Sequence, residues 1–223
     1  MTFDIFLQLM DKLLGEGGCP WDREQTHESL RQYLLEECYE TIEAINTGDM
    51  TSLREELGDV LLQVVFHAKL AEKAGTFTID DVIADVSNKL TSRHTHVFGT
   101  DTAAGAADVI QVWEANKQKE RKHSPTQAMK AIPKALPALF RASKVMKIAG
   151  NKPAGYDIFD EIQASLVQLK ESTDRKFELF GKILLQMVEI STILELNAEL
   201  SLTNAVEEFI TSFSAENPAQ SGL

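Results

Sequence analysis

Residues 33–68, YLLEECYETIEAINTGDMTSLREELGDVLLQVVFHA, decide how this chain folds. Apolar residues recur every three to four positions before and after Asn46-Thr-Gly-Asp49, which predicts two amphipathic helices joined by a short turn. Gly48 suits the left-handed end of the first helix, and Ser52 and Glu55 have the spacing of a capping box that begins the second helix. Because a short connection makes consecutive helices antiparallel neighbours, the stretch predicts a helical hairpin.

The same hairpin is dense in acidic residues. Between positions 36 and 59 a single base, Arg54, stands against eight acids: Glu36, Glu37, Glu40, Glu43, Asp49, Glu55, Glu56 and Asp59. Carboxylates three or four residues apart share a helix face, and each such pair destabilises a bare helix by roughly 0.2–0.5 kcal/mol. At about 1.5 Å of rise per residue, Glu40 and Asp59 lie roughly 9 to 10 Å from the turn on their respective helices. The acids of the two helices therefore fall at similar heights.

Four of these acids, Glu37, Glu40, Glu56 and Asp59, form pairs three residues apart that can converge. They offer only carboxylate oxygens, which suit Mg²⁺ or Mn²⁺ rather than zinc. A solvated acidic face explains the same pattern about as well, because charged residues lie mostly at surfaces. The residues alone leave both interpretations open.

The remaining chain continues the helical pattern, and no stretch alternates convincingly as a strand would. Helices are predicted at 3–14, 29–46, 52–74, 78–93, around 109–113, at 139–149 and, as two or three helices, within 158–213. Cys19-Pro-Trp-Asp22 is predicted as a turn, with Asp22 and Gln25 as a capping box. The residues predicted to face a core are Leu30, Tyr33, Leu34, Ile42, Ile45, Leu53, Leu57, Val60, Leu61, Val64, Ala68, Val82, Ile83, Val86 and Leu90. The predicted fold class is all-α, a helical bundle.

Charge and composition narrow the function. The net charge of −12 disfavours nucleic acid and anionic membranes as partners. Two cysteines in 223 residues do not suggest a disulfide framework, and the longest apolar run is too short to span a bilayer. We therefore expect a cytoplasmic protein. The charge balance is reversed in residues 117–152, which contain ten Lys or Arg and one acid. This segment is therefore a candidate for contacting an anion.

An internal repeat relates the hairpin to the C-terminal part of the chain. Residues 55–65 (EELGDVLLQVV) align without gaps with residues 178–188 (ELFGKILLQMV). Where the first copy has Glu56 and Asp59, the second has Leu179 and Lys182. We predict a domain at 1–122 that carries the acidic site, a basic connecting segment at 123–155, and a degenerate second unit at 156–223.

A series of short motifs extends from residue 18 to residue 144. They are Gly18-Cys-Pro-Trp-Asp22, Gln25-Thr-His27, Tyr33-Leu-Leu-Glu-Glu-x-x-Glu40, Gly48-Asp49, residues 54–68 (REELGDVLLQVVFHA), Arg93-His-x-His-Val-Phe-Gly99, Trp113-Glu-x-x-Lys117 and Leu136-Pro-Ala-Leu-x-Arg-Ala-x-Lys144. Together they closely resemble MazG-type nucleoside triphosphate pyrophosphohydrolases. The resemblance is strong over residues 1–145 and weak after 156.

The resemblance implies an all-α fold of the MazG type, a homodimer, and Mg²⁺-dependent hydrolysis of (d)NTPs to (d)NMP and pyrophosphate, with Mn²⁺ as a second possible metal. By position it implies that the metal ligands are Glu37, Glu40, Glu56 and Asp59. It also implies that Glu36 and Glu37 act on the attacking water. Bound metal would neutralise the carboxylates and hold phosphate oxygens.

Four further residues are candidates for binding the substrate: Lys117, Lys144, Arg93 and Trp113. The lysines can stabilise charge on the leaving group, although surface lysines have the same appearance in a sequence. Trp113 can stack on a base or lie in the core. Two alternatives to the enzyme remain open, namely a non-catalytic nucleotide-binding or regulatory homologue and a structural helical adaptor.

Overall fold

A computed structural model describes residues 2–120, 124–150 and 157–216, without the side chains of Gln118 and Glu120. Residues in these ranges form twelve helices and no strand, which confirms the all-α prediction. The helices are α1 (Phe3–Leu14), α2 (Pro20–Glu24), α3 (Arg31–Thr47), α4 (Met50–Lys73), α5 (Ile79–Arg93), α6 (Thr95–Phe98), α7 (Ala106–Glu120), α8 (Pro125–Lys130), α9 (Ala138–Ala149), α10 (Ile158–Glu171), α11 (Lys176–Ile193) and α12 (Ala198–Glu216). None of the described helices combines the length and apolar character needed to cross a membrane.

The chain divides into two compact units, Met1–Glu120 and Arg121–Leu223. The first contains α1 to α7 and the second contains α8 to α12. Within the second unit, α9 packs against α8, α11 and α12. The boundaries predicted between 122 and 123 and between 155 and 156 lie outside the described residues. The division into 1–122, 123–155 and 156–223 therefore stays a prediction.

The core of the first unit is formed by α1, α4 and the residues that lead into α3 and α5. Its buried members are Met10, Leu30, Val65, Phe66, Ala68 and Ile79. On α4, all of the buried residues lie between 63 and 71. The C-terminal half of α4 is therefore the part that holds the unit together, and its N-terminal half is free for another role.

Two predicted capping boxes are wrong, for local reasons. Asp49, rather than Ser52, caps α4, because the Asp49 carboxylate accepts hydrogen bonds from two backbone amides of the first turn. Asp22 does not cap a following helix, since Pro20–Glu24 is itself a short helix. Gln25 ends α2 and donates from its side-chain amide to the Trp21 carbonyl at 2.8 Å.

Many of the residues that were predicted to face a core are not buried. Among the residues predicted to face a core, those that stay exposed are Ile42, Ile45, Leu57, Leu61, Val64, Ile83, Val86 and Leu90. Leu57 keeps 52% of its accessible surface and Ile45 keeps 58%. Amphipathic spacing shows that a helix face needs cover, but it does not show which element supplies the cover. The described elements of the first unit leave these faces of α3, α4 and α5 open.

In the second unit, α10 packs against α11 much as α3 packs against α4. Two aligned positions of the repeat are buried in both helices, Gln63 with Gln186 and Val65 with Val188, and the same offset beyond the repeat pairs buried Phe66 with Glu189 and Ala68 with Ser191. Both glutamines bury a side-chain oxygen that lacks a hydrogen-bond partner. This agreement is consistent with the predicted repeat, and descent from one unit stays a prediction.

Candidate functional site

The turn between α3 and α4 positions the candidate site. Gly48 adopts φ 71°, the left-handed conformation predicted for it. The Gly48 and Asp49 amides donate to the carbonyls of Ile45 and Ala44 at 3.2 and 3.1 Å, which is the Schellman pattern. The Asp49 carboxylate then accepts from the Thr51 amide at 2.9 Å. The chain thus reverses within two residues, so α3 and α4 run back along each other.

Both carboxylate oxygens of Asp49 accept hydrogen bonds within this turn. Hydrogen bonds from the Ser52 side chain, the Ser52 amide and the Thr51 amide hold the pKa of Asp49 below its ordinary value. A carboxylate committed to capping is a poor candidate for a ligand. Of the eight acids in the hairpin, this one has a structural role.

Three of the four predicted ligands come together on the paired helices. Glu37 of α3 and Glu56 and Asp59 of α4 each offer a carboxylate oxygen, and the three oxygens lie within 4.8 Å of one another. Glu37 and Glu56 are partly buried and Asp59 is exposed. The fourth, Glu40, lies exposed on α3 and outside this group of oxygens.

The three carboxylates repel one another, and the pKa values of Glu37 and Glu56 record it. Partial burial, followed by the charges of Asp59, Glu40, Glu56 and Glu36, raises the pKa of Glu37. Partial burial, followed by the charges of Glu40, Asp59 and Glu55, raises the pKa of Glu56. Glu40 is therefore close enough to act on both groups electrostatically. The cluster is an electrostatic cost to the fold unless a cation compensates it.

The donor set fits a small divalent cation. Ligand oxygens around Mg²⁺ lie at about 2.0–2.1 Å from the metal, and hence roughly 3–4 Å from one another. The carboxylate oxygens of Glu37, Glu56 and Asp59 lie within 4.8 Å of one another, which is close to this spacing. An all-carboxylate set matches the preference of Mg²⁺ and Mn²⁺.

Three of the predicted substrate residues lie on α5 and α7 of the first unit. The Arg93 guanidinium stands over the Trp113 ring, 5.2 Å from its centre. The His94 ring meets the same indole edge-on at 4.8 Å. Lys117 pairs with Glu114 at 2.9 Å. Trp113 thus holds two neighbouring side chains in place.

The fourth predicted substrate residue, Lys144, lies in the second unit. Its ammonium stands 5.0 Å from the centre of the Phe140 ring, one turn earlier on α9. The roles predicted for Lys117, Lys144, Arg93 and Trp113 stay predictions.

Two features of the first unit escaped sequence reasoning. Asn116 is buried at the contact of α6 with α7, donates to the Thr95 hydroxyl at 2.8 Å and accepts from Lys119 at 3.0 Å. His27 and His67 approach to 2.8 Å between their Nδ1 atoms across 40 residues of sequence. No local spacing in the sequence indicates either contact.

Comparison with known proteins decides the family. The nucleoside triphosphate pyrophosphohydrolase/pyrophosphatase MazG of Thermotoga maritima is 39% identical over 221 residues, covering 96% of this chain and 84% of that protein. The chain belongs to the MazG family. The family model for the MazG nucleotide pyrophosphohydrolase domain matches residues 25–98. This MazG match spans α3, α4 and α5, and therefore contains the whole acidic cluster.

Other relatives of this MazG chain extend the comparison. The nucleoside triphosphate pyrophosphohydrolase of Escherichia coli K12 is 36% identical over 225 residues, covering 94% of this chain and 85% of that protein. The protein YabN of Bacillus subtilis, which is described as uncharacterized, is 48% identical over 145 residues, covering 65% of this chain and 30% of that protein.

Proposed function

We propose that this chain hydrolyses nucleoside and deoxynucleoside triphosphates to the monophosphate and pyrophosphate, with Mg²⁺ as the metal and Mn²⁺ as a possible substitute. Two relatives, of which this chain covers 84% and 85%, carry the name nucleoside triphosphate pyrophosphohydrolase. The observation that carries the proposal is the convergence of three carboxylate oxygens within 4.8 Å on two helices that the family match covers.

The proposed ligand set is Glu37, Glu40, Glu56 and Asp59. Glu40 completes the set by a change of side-chain rotamer, since its charge already acts on Glu37 and Glu56. When bound, the cation neutralises the carboxylates, holds phosphate oxygens and makes water more acidic. This explains how a chain of net charge −12 accepts a polyanionic substrate.

Glu36 and Glu37 are the proposed residues that act on the attacking water. Glu37 lies within the cluster, which places its carboxylate beside any water that a bound metal would activate. Glu36 is exposed next to it and orients the water. Arg93 and Lys117 are proposed to stabilise the phosphate charge, with Trp113 supporting Arg93. The role predicted for Lys144, in the second unit, stays a prediction.

The proposal is tested by incubating the chain with a panel of NTPs and dNTPs, with and without Mg²⁺, and identifying the products. We expect monophosphate and pyrophosphate in a 1:1 ratio and no product after chelation. Release of diphosphate and inorganic phosphate would contradict the proposed bond cleavage. Nucleotide binding without turnover would instead establish the non-catalytic homologue.

We also propose that the chain forms a homodimer through the open apolar faces of α3, α4 and α5. These faces expose Ile45, Leu57, Leu61 and Ile83, and a two-fold axis covers such a surface with a second copy of itself. We expect a mass of two chains at micromolar concentration by light scattering, and a single chain for Leu61→Asp. Ile110→Asp, an exposed position on α7, is the matched control and is expected to keep the dimer. A monomeric wild type would refute the proposal.

A further inference from the structure

Two imidazole rings meet head to head in the first unit. The Nδ1 atoms of His27 and His67 are 2.8 Å apart. The ring planes differ by 6° and the ring centres are 5.1 Å apart. This separation equals the Nδ1–Nδ1 distance plus about one ring radius at each end, so both nitrogens lie close to the line that joins the centres. The rings therefore meet edge to edge and nearly coplanar, with their Nδ1 atoms facing.

This arrangement demands one proton and one lone pair at the contact. The lone pair and the N–H bond of an imidazole nitrogen both lie in the ring plane. With the nitrogens facing at 2.8 Å, one ring must donate from Nδ1 and the other must accept at Nδ1. A metal ion does not fit between them, because two bonds of about 2.0–2.1 Å along this line need a longer gap.

The contact ties the segment that enters α3 to the core half of α4. Residues 25–30 form a defined turn, in which the Ser29 amide donates to the Thr26 hydroxyl at 3.1 Å and the Thr26 amide donates to the Ser29 hydroxyl at 2.9 Å. Leu30 ends the turn as a core residue with 1% exposure. On the other side, His67 stands between buried Phe66 and Ala68. The pair therefore joins a short polar turn to a rigid helix.

His67 is the ring that stays neutral longest. Burial of its ring, followed by the charge of His27, holds the pKa of His67 below the ordinary histidine value. The charged residues of the pair's own segments and of α1 and α5, which pack against α4, include Asp11, Glu28, Arg31, Glu36, Glu37, Lys69, Glu72 and Asp81. Lys69 bonds to Asp11 at 2.7 Å and to Glu72 at 3.0 Å, and Asp81 bonds to Thr78.

We propose that His27 and His67 form a pH-sensitive clasp, in which one Nδ1 proton is shared and the segment entering α3 is released from α4 when both rings become cationic. A proton added at Nε2 of the donor ring lies away from the contact and strengthens the bond to the neutral acceptor ring. A second proton must go to Nδ1 of the acceptor ring, which removes the acceptor and places two cations side by side. The clasp thus tolerates one added proton and opens with the second.

Nuclear magnetic resonance of ¹⁵N-labelled histidine tests the shared proton directly. At pH above the ordinary histidine range we expect a nitrogen–nitrogen coupling across the hydrogen bond, with Nδ1 protonated in one ring and bare in the other. In His27→Gln we expect the coupling to vanish and the pKa of His67 to rise toward the ordinary value. Glu43→Gln, an exposed position near the other end of α3, is the control and leaves both unchanged. Two rings that titrate independently in wild type would overturn the clasp.

Unfolding experiments test whether the segment that enters α3 is released from α4 at low pH. The folded pKa of His67 is lowered, so the stability it contributes is present above the ordinary histidine pKa and is lost as pH falls through the folded value. Between about pH 7.5 and about pH 5, we expect the unfolding midpoint of wild type to fall more than that of the His27→Phe/His67→Phe double variant, which keeps two flat rings without nitrogens. An equal fall in both proteins would refute the release.

Discussion

Glu56→Gln is expected to abolish pyrophosphate release and, at the same time, to raise the melting temperature of the metal-free protein. The substitution keeps the side-chain shape but removes one of the three charges that converge within 4.8 Å. A catalytic metal supplies several kcal/mol of transition-state stabilisation, so weakening its site should lower turnover on the order of 100-fold or more. The measurements are turnover of an NTP in Mg²⁺ and thermal unfolding in a chelator.

The stabilising effect depends on pH in a defined direction. Because the pKa of Glu56 is raised in the folded state, the folded chain takes up the proton more readily than the unfolded chain. The electrostatic cost of Glu56 is therefore absent below the ordinary glutamate pKa and appears as pH rises through the raised value. The difference in melting temperature between Glu56→Gln and wild type should be largest at neutral pH and shrink in acid.

Glu43→Gln is the matched control for this experiment. Glu43 is an exposed acid of the same hairpin and lies outside the cluster, so its loss changes the net charge equally without touching the site. We expect wild-type turnover from this variant. Full activity in Glu56→Gln would refute the site, and full activity loss in Glu43→Gln would show that the overall charge matters instead.

Addition of Mg²⁺ is expected to raise the melting temperature of the protein by about 5–10 °C. At a free concentration of 100 times Kd, binding to the folded state alone contributes about 2.7 kcal/mol. A change of 1 kcal/mol shifts the melting temperature of a protein this size by about 2–4 °C. Tryptophan fluorescence is the suitable measurement, since both tryptophans, Trp21 and Trp113, belong to the first unit.

The expected specificity of this shift follows from the donor set. Mg²⁺ and Mn²⁺ should both stabilise wild type and Glu43→Gln, and neither should stabilise Glu56→Gln. An equal shift in Glu56→Gln would mean that the ions bind elsewhere on an acidic surface. No shift in wild type, at any concentration up to millimolar, would refute a metal site formed by the free chain.

Local signals in the sequence predicted the helix ends well. Gly48 ends α3 with positive φ, Gly75 follows α4 with positive φ, and Thr78 caps α5 in a reciprocal capping box with Asp81. Ser52 was the wrong cap for α4 because two acceptors compete at this turn. Asp49 stands earlier and its carboxylate reaches two amides, which leaves Ser52 inside the helix.

Contacts between distant residues were harder to predict. The spacing of Glu56 and Asp59 placed them on one face, and the short turn placed Glu37 opposite, so the cluster followed from the sequence. Ile83 was predicted to face a core but is exposed, because the periodicity of a helix carries no information about which element covers its apolar face. The facing of His27 and His67 depends on how a 40-residue hairpin closes, which no local pattern records.

The core residues and the acidic residues of α4 occupy different halves of the helix, and this separation has an evolutionary consequence. Its buried residues lie between 63 and 71, while Glu56 and Asp59 stand in the half that carries no core. Substitutions at the acidic end therefore change chemistry at little risk to folding, and substitutions at the other end do the reverse. In the predicted second copy, Leu179 and Lys182 stand at the positions of Glu56 and Asp59, and this part of the chain is still helical. The separation of core and acidic residues along α4 allows a hairpin to keep its fold while its ligand chemistry changes.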